Sequence, residues 1–139
     1  MKRVMRMVLL ALAAAYTSAC DSRPPEAIAE RNVRVLLYAH HGAPSREVFE
    51  RAAPDAKQRL LALASDPRAG VLRDRALMAL ASFGDEDVRA LYEGILSDRT
   101  AVLKTRRVTQ HAYRRAFNAD PPAALLDVPV HIPPEIQTE

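Results

Sequence analysis

The feature that most constrains this chain is that part of it repeats. At an offset of 32 residues Asp55 meets Asp87, Lys57 meets Arg89, Leu63 meets Ile95 and Ser65-Asp66 meets Ser97-Asp98. At an offset of 33, Arg73 meets Arg106, Ala79 meets Ala112 and Leu80 meets Tyr113. A recurrence of this length marks small units that cannot bury their apolar faces alone and stack on their neighbours to do so. Spacing inside the period says what each unit is made of. Val88, Leu91, Tyr92, Ile95 and Leu96 follow the i, i+3, i+4, i+7, i+8 pattern of one helix face, and Leu72, Ala76, Ala79, Leu80 and Phe83 form a second such stripe. Ile28, Asn32, Val35, Leu36 and Ala39 form a third, interrupted by a polar residue.

Breakers cut the segment at His41-Gly42-Ala43-Pro44, Asp66-Pro67 to Gly70, Gly84-Asp85 and Ser97 to Thr100. The expected helices are 26–40, 46–64 with a break or kink at Pro54, 71–83, 86–96 and 101–117. No stretch reads as a strand. Ala76 and Ala79 are small enough to let helices approach closely, and Ala62 and Gly94, which stack at offset 32, are expected to do the same on the partner helix.

With Asp66, Leu72-Arg73, Ala76, Ala79-Leu80 and the Gly84-Asp85 turn in place, the chain resembles the HEAT-like repeats of bacteria, the type named from phycobiliprotein lyases. One residue is extra between Asp66 and Leu72. The next unit, Asp85 to Asp98, has the expected length; after it Asp98 and Arg106 persist while Thr105 and Thr109 replace the apolar pair. The resemblance covers about residues 45 to 117 and implies an all-α fold, a short α-solenoid of HEAT-like helical hairpins, with a TPR-like array or a generic helical bundle as alternatives. It also implies a structural ladder of ion pairs between adjacent repeats, which by position would be Asp66, Arg73, Asp98 and Arg106.

Residues 1–19 have the order of a signal peptide: Lys2 and Arg3, an apolar run from Met7 to Tyr16, then small residues. That run is half the ~20 residues a helix needs to span a bilayer core. Thr17-Ser18-Ala19-Cys20 resembles the lipobox of bacterial lipoproteins, with Thr17 where Leu is commonest, and Cys20 is the only cysteine in the chain. The resemblance implies lipidation of Cys20 and a protein exported and anchored on the extracytoplasmic side of a bacterial membrane, inner or outer. The alternative is a plain secreted protein cleaved after Ala19 or Ala15. Residues 20–25 then form a linker ending in two prolines, 26–117 the repeat domain, and 118–139 a proline-rich extended tail with a turn at Ala123 to Leu126. Its Leu125, Leu126 and Val128 are expected to fold back over the last repeat.

The chemistry of the chain is read mainly by exclusion. It has no G-x-S-x-G elbow, Walker loop, dinucleotide glycine fingerprint, H-E-x-x-H motif or paired cysteines, and only four glycines. His40-His41 are neighbours, about 100° apart on a helix, and are read as complementing a helix carboxyl end rather than binding metal. No catalytic residue, metal or cofactor is expected. The net charge of +3 comes from Lys2, Arg3 and Arg6; the rest of the chain balances 17 basic against 17 acidic residues.

Locally, however, no acidic residue lies between Asp98 and Asp120, while Lys104, Arg107, His111, Arg114 and Arg115 share one arc of a helical wheel. Two readings stand. One is a solvated face paired with Asp85-Glu86-Asp87, Glu93 and Asp98. The other is an interaction stripe for an anionic envelope partner such as phospholipid headgroups, acidic polysaccharide or an acidic protein. Nucleic acid is not expected, because no aromatic residues are interleaved to stack on bases. The sequence therefore favours a membrane-anchored, non-enzymatic scaffold or adaptor. A structural accessory subunit of a larger envelope complex remains open, as does an enzyme such as a lyase by family analogy.

Overall fold

The computed structural model describes residues 25–39, 42 and 44–127. Residues 1–24 with Cys20, His40-His41, and the residues beyond Asp127 lie outside the described residues. Among those described, the chain is all helical, with no strand. The helices are α1 (Pro25–Ala39), α2 (Arg46–Ala52), α3 (Ala56–Ser65), α4 (Val71–Leu80), α5 (Glu86–Ser97), α6 (Leu103–Phe117) and the single-turn α7 (Ala123–Leu126), with a 3-10 turn at Pro67–Ala69. No helix among the described residues is long and apolar enough to cross a membrane.

Local chemistry accounts for most boundaries. Pro54 disfavours helical dihedrals at the residue before it, and Ala53 is accordingly extended (φ −155°, ψ 125°), which separates α2 from α3. The Asp66 carboxylate accepts from the Arg68 N–H at 2.8 Å, and Pro67 opens the 3-10 turn behind it. Asp85 caps α5 by accepting from the Val88 N–H at 3.2 Å. Gly84 has φ 54°, and a Cβ there would lie 3.0 Å from the Ala116 carbonyl oxygen. The α4–α5 turn thus needs glycine both for its backbone conformation and for the approach of α6.

Two antiparallel hairpins, α3/α4 and α5/α6, form the body of the molecule. They stack like on like, α3 beside α5 and α4 beside α6, while α1 packs across α2, α3 and α4. Helix α4 is central, and its Leu72, Ala76, Leu77, Ala79 and Leu80 are all buried, so it has no wide polar face. Both stripes expected on α4 and α5 point into one core that also holds Phe49, Leu60 and Tyr113. The Tyr92 hydroxyl is satisfied inside it, donating to the Leu77 carbonyl at 2.6 Å.

Two packing expectations are corrected. In α1 the buried residues are Val33 and Leu37, with Ala29 and Leu36 against them, while Val35 is exposed and Asn32 donates to the Ala52 carbonyl at 3.2 Å. Both sets have helical spacing, and only the position of α3 and α4 selects between them. Ala62 and Gly94 do not line a helix contact: both are exposed, and a Cβ at Gly94 would meet nothing within 4 Å. They match at offset 32 because both occupy the solvent side of the first helix of a hairpin. Close approach is instead provided by the buried Ala56, Ala64, Ala76 and Ala79. A helical glycine with room for a methyl group costs stability without a packing return. Gly94→Ala is therefore expected to stabilise the fold by about 0.5–1 kcal/mol, read as a raised midpoint in urea with an unchanged slope. A lowered midpoint would show that Gly94 is a contact residue after all.

Candidate functional site

The basic residues of α6 sit where a 15-residue helix packs one side on α4 and α5 and leaves the other to solvent. Thr105, Thr109, Ala112 and Tyr113 are buried, and the Thr109 hydroxyl donates to the Thr105 carbonyl at 2.8 Å, so the threonines occupy apolar positions without an orphaned hydroxyl at 109. Lys104, Arg107, His111, Arg114 and Arg115 are all exposed.

They are not electrostatically equivalent. Lys104 bridges to Asp74 on α4 at 2.8 Å, and Arg114 bridges to Asp120 just beyond the helix. Arg107, His111 and Arg115 form no ion pair among the described residues. The acidic groups expected to neutralise the stripe are engaged elsewhere. Asp85 and Asp87 hold Lys57, Glu86 lies 3.7 Å from Arg89, Glu93 accepts from the Tyr113 hydroxyl at 3.1 Å, and Asp98 accepts from Thr100.

The ladder residues are placed as follows. No ion pair joins Asp66, Arg73, Asp98 and Arg106 among the described residues. Arg73 donates through Nε to the Ala64 carbonyl at 3.0 Å, tying its own hairpin together. The Asp98 carboxylate turns into its own loop, and the Thr100 hydroxyl and N–H, with Arg73 nearby, hold it below the usual carboxylate range. Arg106 is only 3% exposed and donates to the Leu125 carbonyl at 3.3 Å, while its Nη1 has no partner. That bond ties the α7 turn to α6; of the residues expected to fold back, Leu125 is half-buried, Leu126 is exposed and Val128 lies outside the described residues.

The contacts that cross between hairpins are different ones. Lys57 at the start of α3 is held by both Asp85 and Asp87 at the start of α5, each at 2.6 Å, and Lys104–Asp74 links α6 to α4. The hydrogen bonds to Asp85 and Asp87 raise the Lys57 pKa. Burial pushes Asp85 up, but Lys57 and the Val88 N–H outweigh it and leave this carboxyl below its ordinary range. The offset-32 match of Lys57 with Arg89 was a signal for this rung, because Arg89 occupies the same place one unit later. No further hairpin follows among the described residues, and Arg89 instead lies 4.1 Å over the Phe117 ring and donates to the Tyr113 hydroxyl at 2.8 Å.

No group of three or more His, Cys, Asp or Glu side chains among the described residues could hold a metal ion. The described surface thus defines an all-helical protein of stacked hairpins carrying a half-neutralised basic face. Comparison with protein-family models, with curated proteins and with solved structures finds no match.

Proposed function

We propose that this chain is an exported, lipid-anchored scaffold whose short HEAT-like α-solenoid presents the basic face of α6 to an anionic component of the cell envelope. The observation that carries the reading is the imbalance on that face: Arg107, His111 and Arg115 are exposed without an ion-pair partner among the described residues, while nearby carboxylates serve other contacts. Like-on-like stacking of α3 with α5 and of α4 with α6 supports the solenoid. The non-enzymatic reading rests on the lack of any recognised catalytic motif in the sequence.

Two experiments test this function. Cys20→Ser should release the chain from the membrane pellet after a salt wash; retention there would remove lipidation as the anchor. Reversing Arg107 and Arg115 to Glu, in the chain from residue 22 onward, should leave the helical spectrum intact, since exposed substitutions usually change stability by no more than about 0.5 kcal/mol. It should also abolish salt-sensitive association with anionic membrane extracts, where each basic residue near the surface contributes about 1 kcal/mol. Association equal to the parent's would assign the interaction to another surface.

A further inference from the structure

Four residues stand at successive four-residue steps on the solvent side of α6: Leu103, Arg107, His111 and Arg115, all of them exposed. Steps of four place side chains about 5–6 Å apart in one line along a helix. Arg107, His111 and Arg115 form no ion pair among the described residues, and the sequence has no carboxylate between Asp98 and Asp120. The head of the line is apolar instead. Leu103 is 47% exposed, and Val102 beside it is 62% exposed. A line of free cations that ends in exposed aliphatic side chains suits an anionic lipid surface, which offers headgroups to the former and hydrocarbon to the latter. A soluble polyanion would leave Val102 and Leu103 in water.

His111 is the only histidine among the described residues, and it stands between the two unpaired arginines. The charged groups on the elements packed around it are committed elsewhere. On α4, Arg73 and Arg75 donate to the Ala64 and Leu37 carbonyls, and Asp74 holds Lys104. On α5, Asp87 holds Lys57, Glu86 lies beside Arg89, and Arg89 and Glu93 meet at the Tyr113 hydroxyl. At the two ends of α6, Asp98 accepts from Thr100 and Asp120 holds Arg114. None of these groups forms an ion pair or hydrogen bond with His111 among the described residues. Histidine is the side chain that gains a charge as pH falls from about 8 to about 5. Here the gain adds a third cation to a line that otherwise carries only Arg107 and Arg115.

We propose that this line is a pH-dependent docking surface for a bilayer of anionic phospholipid. Val102 and Leu103 enter the lipid, Arg107 and Arg115 sit among the phosphates, and His111 tightens the contact once it is protonated. The inference rests on the proposed role of the α6 face and adds its partner and its control. An anionic surface favours the charged imidazole, so docking takes up a proton and strengthens as pH falls. One more cation near such a surface corresponds to a gain of about fivefold in the docking constant.

The chain contains no tryptophan, so Leu103→Trp gives the full chain a single indole at the proposed point of entry. The probes are vesicles of phosphatidylcholine mixed with phosphatidylglycerol, whose phosphate stays ionised across this range of pH, and vesicles of phosphatidylcholine alone. On the mixed vesicles the indole emission should move to shorter wavelength and be quenched by brominated acyl chains, with the docking constant rising about fivefold from pH 8 to pH 5. On phosphatidylcholine alone neither should occur. Because the readout is the position of the indole, attachment through the amino-terminal segment does not mimic it. Equal quenching on the two kinds of vesicle, or none on either, overturns the proposal. Val102→Trp, at the more exposed neighbouring position, repeats the measurement if Leu103→Trp alters the helical spectrum. Val35→Trp, at an exposed position of α1, should not be quenched, and equal quenching there overturns the assignment to α6.

In the Leu103→Trp chain, His111→Gln should hold docking at its pH 8 level throughout, and His111→Arg at its pH 5 level. A rise with falling pH that survives in His111→Gln overturns the control assigned to His111. Reversal of Arg107 and Arg115 to Glu should abolish the quenching. If that reversal abolishes association with anionic membrane extracts while the indole of Leu103→Trp stays unquenched on vesicles, the face binds an acidic polysaccharide or protein. The lipid proposal then fails and the proposed function stands.

Discussion

Leu80→Asp is expected to leave the chain unfolded at 25 °C. Leu80 ends the central helix α4 and is fully buried in the cluster that contains Leu60, Leu77, Phe83 and Tyr92. Loss of a buried leucine side chain alone costs about 2–5 kcal/mol. An unpaired carboxylate in its place adds several kcal/mol more, whether it stays charged or is forced to take up a proton. Domains of this size hold only about 5–15 kcal/mol in total, so the combined loss reaches the whole margin. The measurement is far-ultraviolet circular dichroism with a thermal scan, with Leu80→Met as the volume-conserving control expected to cost less than about 1.5 kcal/mol. A cooperative melt of Leu80→Asp within a few degrees of the parent would show that Leu80 is not in the core.

Tyr92 separates packing from hydrogen bonding at a second buried position. Tyr92→Ala should destabilise by about 3–5 kcal/mol, the range for deleting a buried aromatic ring. Tyr92→Phe keeps the ring and loses the hydroxyl bond to Leu77, for about 1 kcal/mol. The two variants should also differ from the parent in alkali. Burial raises the Tyr92 pKa far above its unfolded value of about 10. The folded chain therefore keeps a proton that the unfolded chain gives up, and stability falls as pH rises past about 10. Tyr92→Phe removes that group, so its stability should decline less steeply between pH 10 and 12 than the parent's. An identical decline would mean that Tyr92 ionises without leaving the core; Tyr113, also raised chiefly by burial, and Lys57, raised by its bonds to Asp85 and Asp87, add alkaline sensitivity in both chains.

Helix positions were legible in the sequence because the signals that set them are local. Pro54 splits α2 from α3, Asp85 caps α5, and Gly70 and Gly84 take positive φ at two of the turns. The buried faces of α4 and α5 were legible too, since each offers a single strong stripe. Exposure of Lys104, Arg107, His111, Arg114 and Arg115 followed from the wheel, because Thr105, Thr109 and Ala112 mark the opposite arc of α6 as the packed one, with Arg106 its one charged residue.

By itself, then, the sequence determined an all-helical chain with its breaks, two of its buried faces and the arc on which its unmatched cations stand. Periodicity, caps and breakers act within a turn or two of helix, and they are written in neighbouring residues. Only the tertiary structure decided which of two equally spaced sets α1 buries, that Ala62 and Gly94 face solvent, and that Lys57 with Asp85 and Asp87 forms the rung between hairpins while Asp66, Arg73, Asp98 and Arg106 do not. It also decided that Lys104 and Arg114 are paired while Arg107, His111 and Arg115 have no ion-pair partner among the described residues. The physical reason is the same in each case. The contacts between hairpins join residues about thirty positions apart, as Lys57 and Asp87 or Asp74 and Lys104 are, and their partners are chosen by how the hairpins stack.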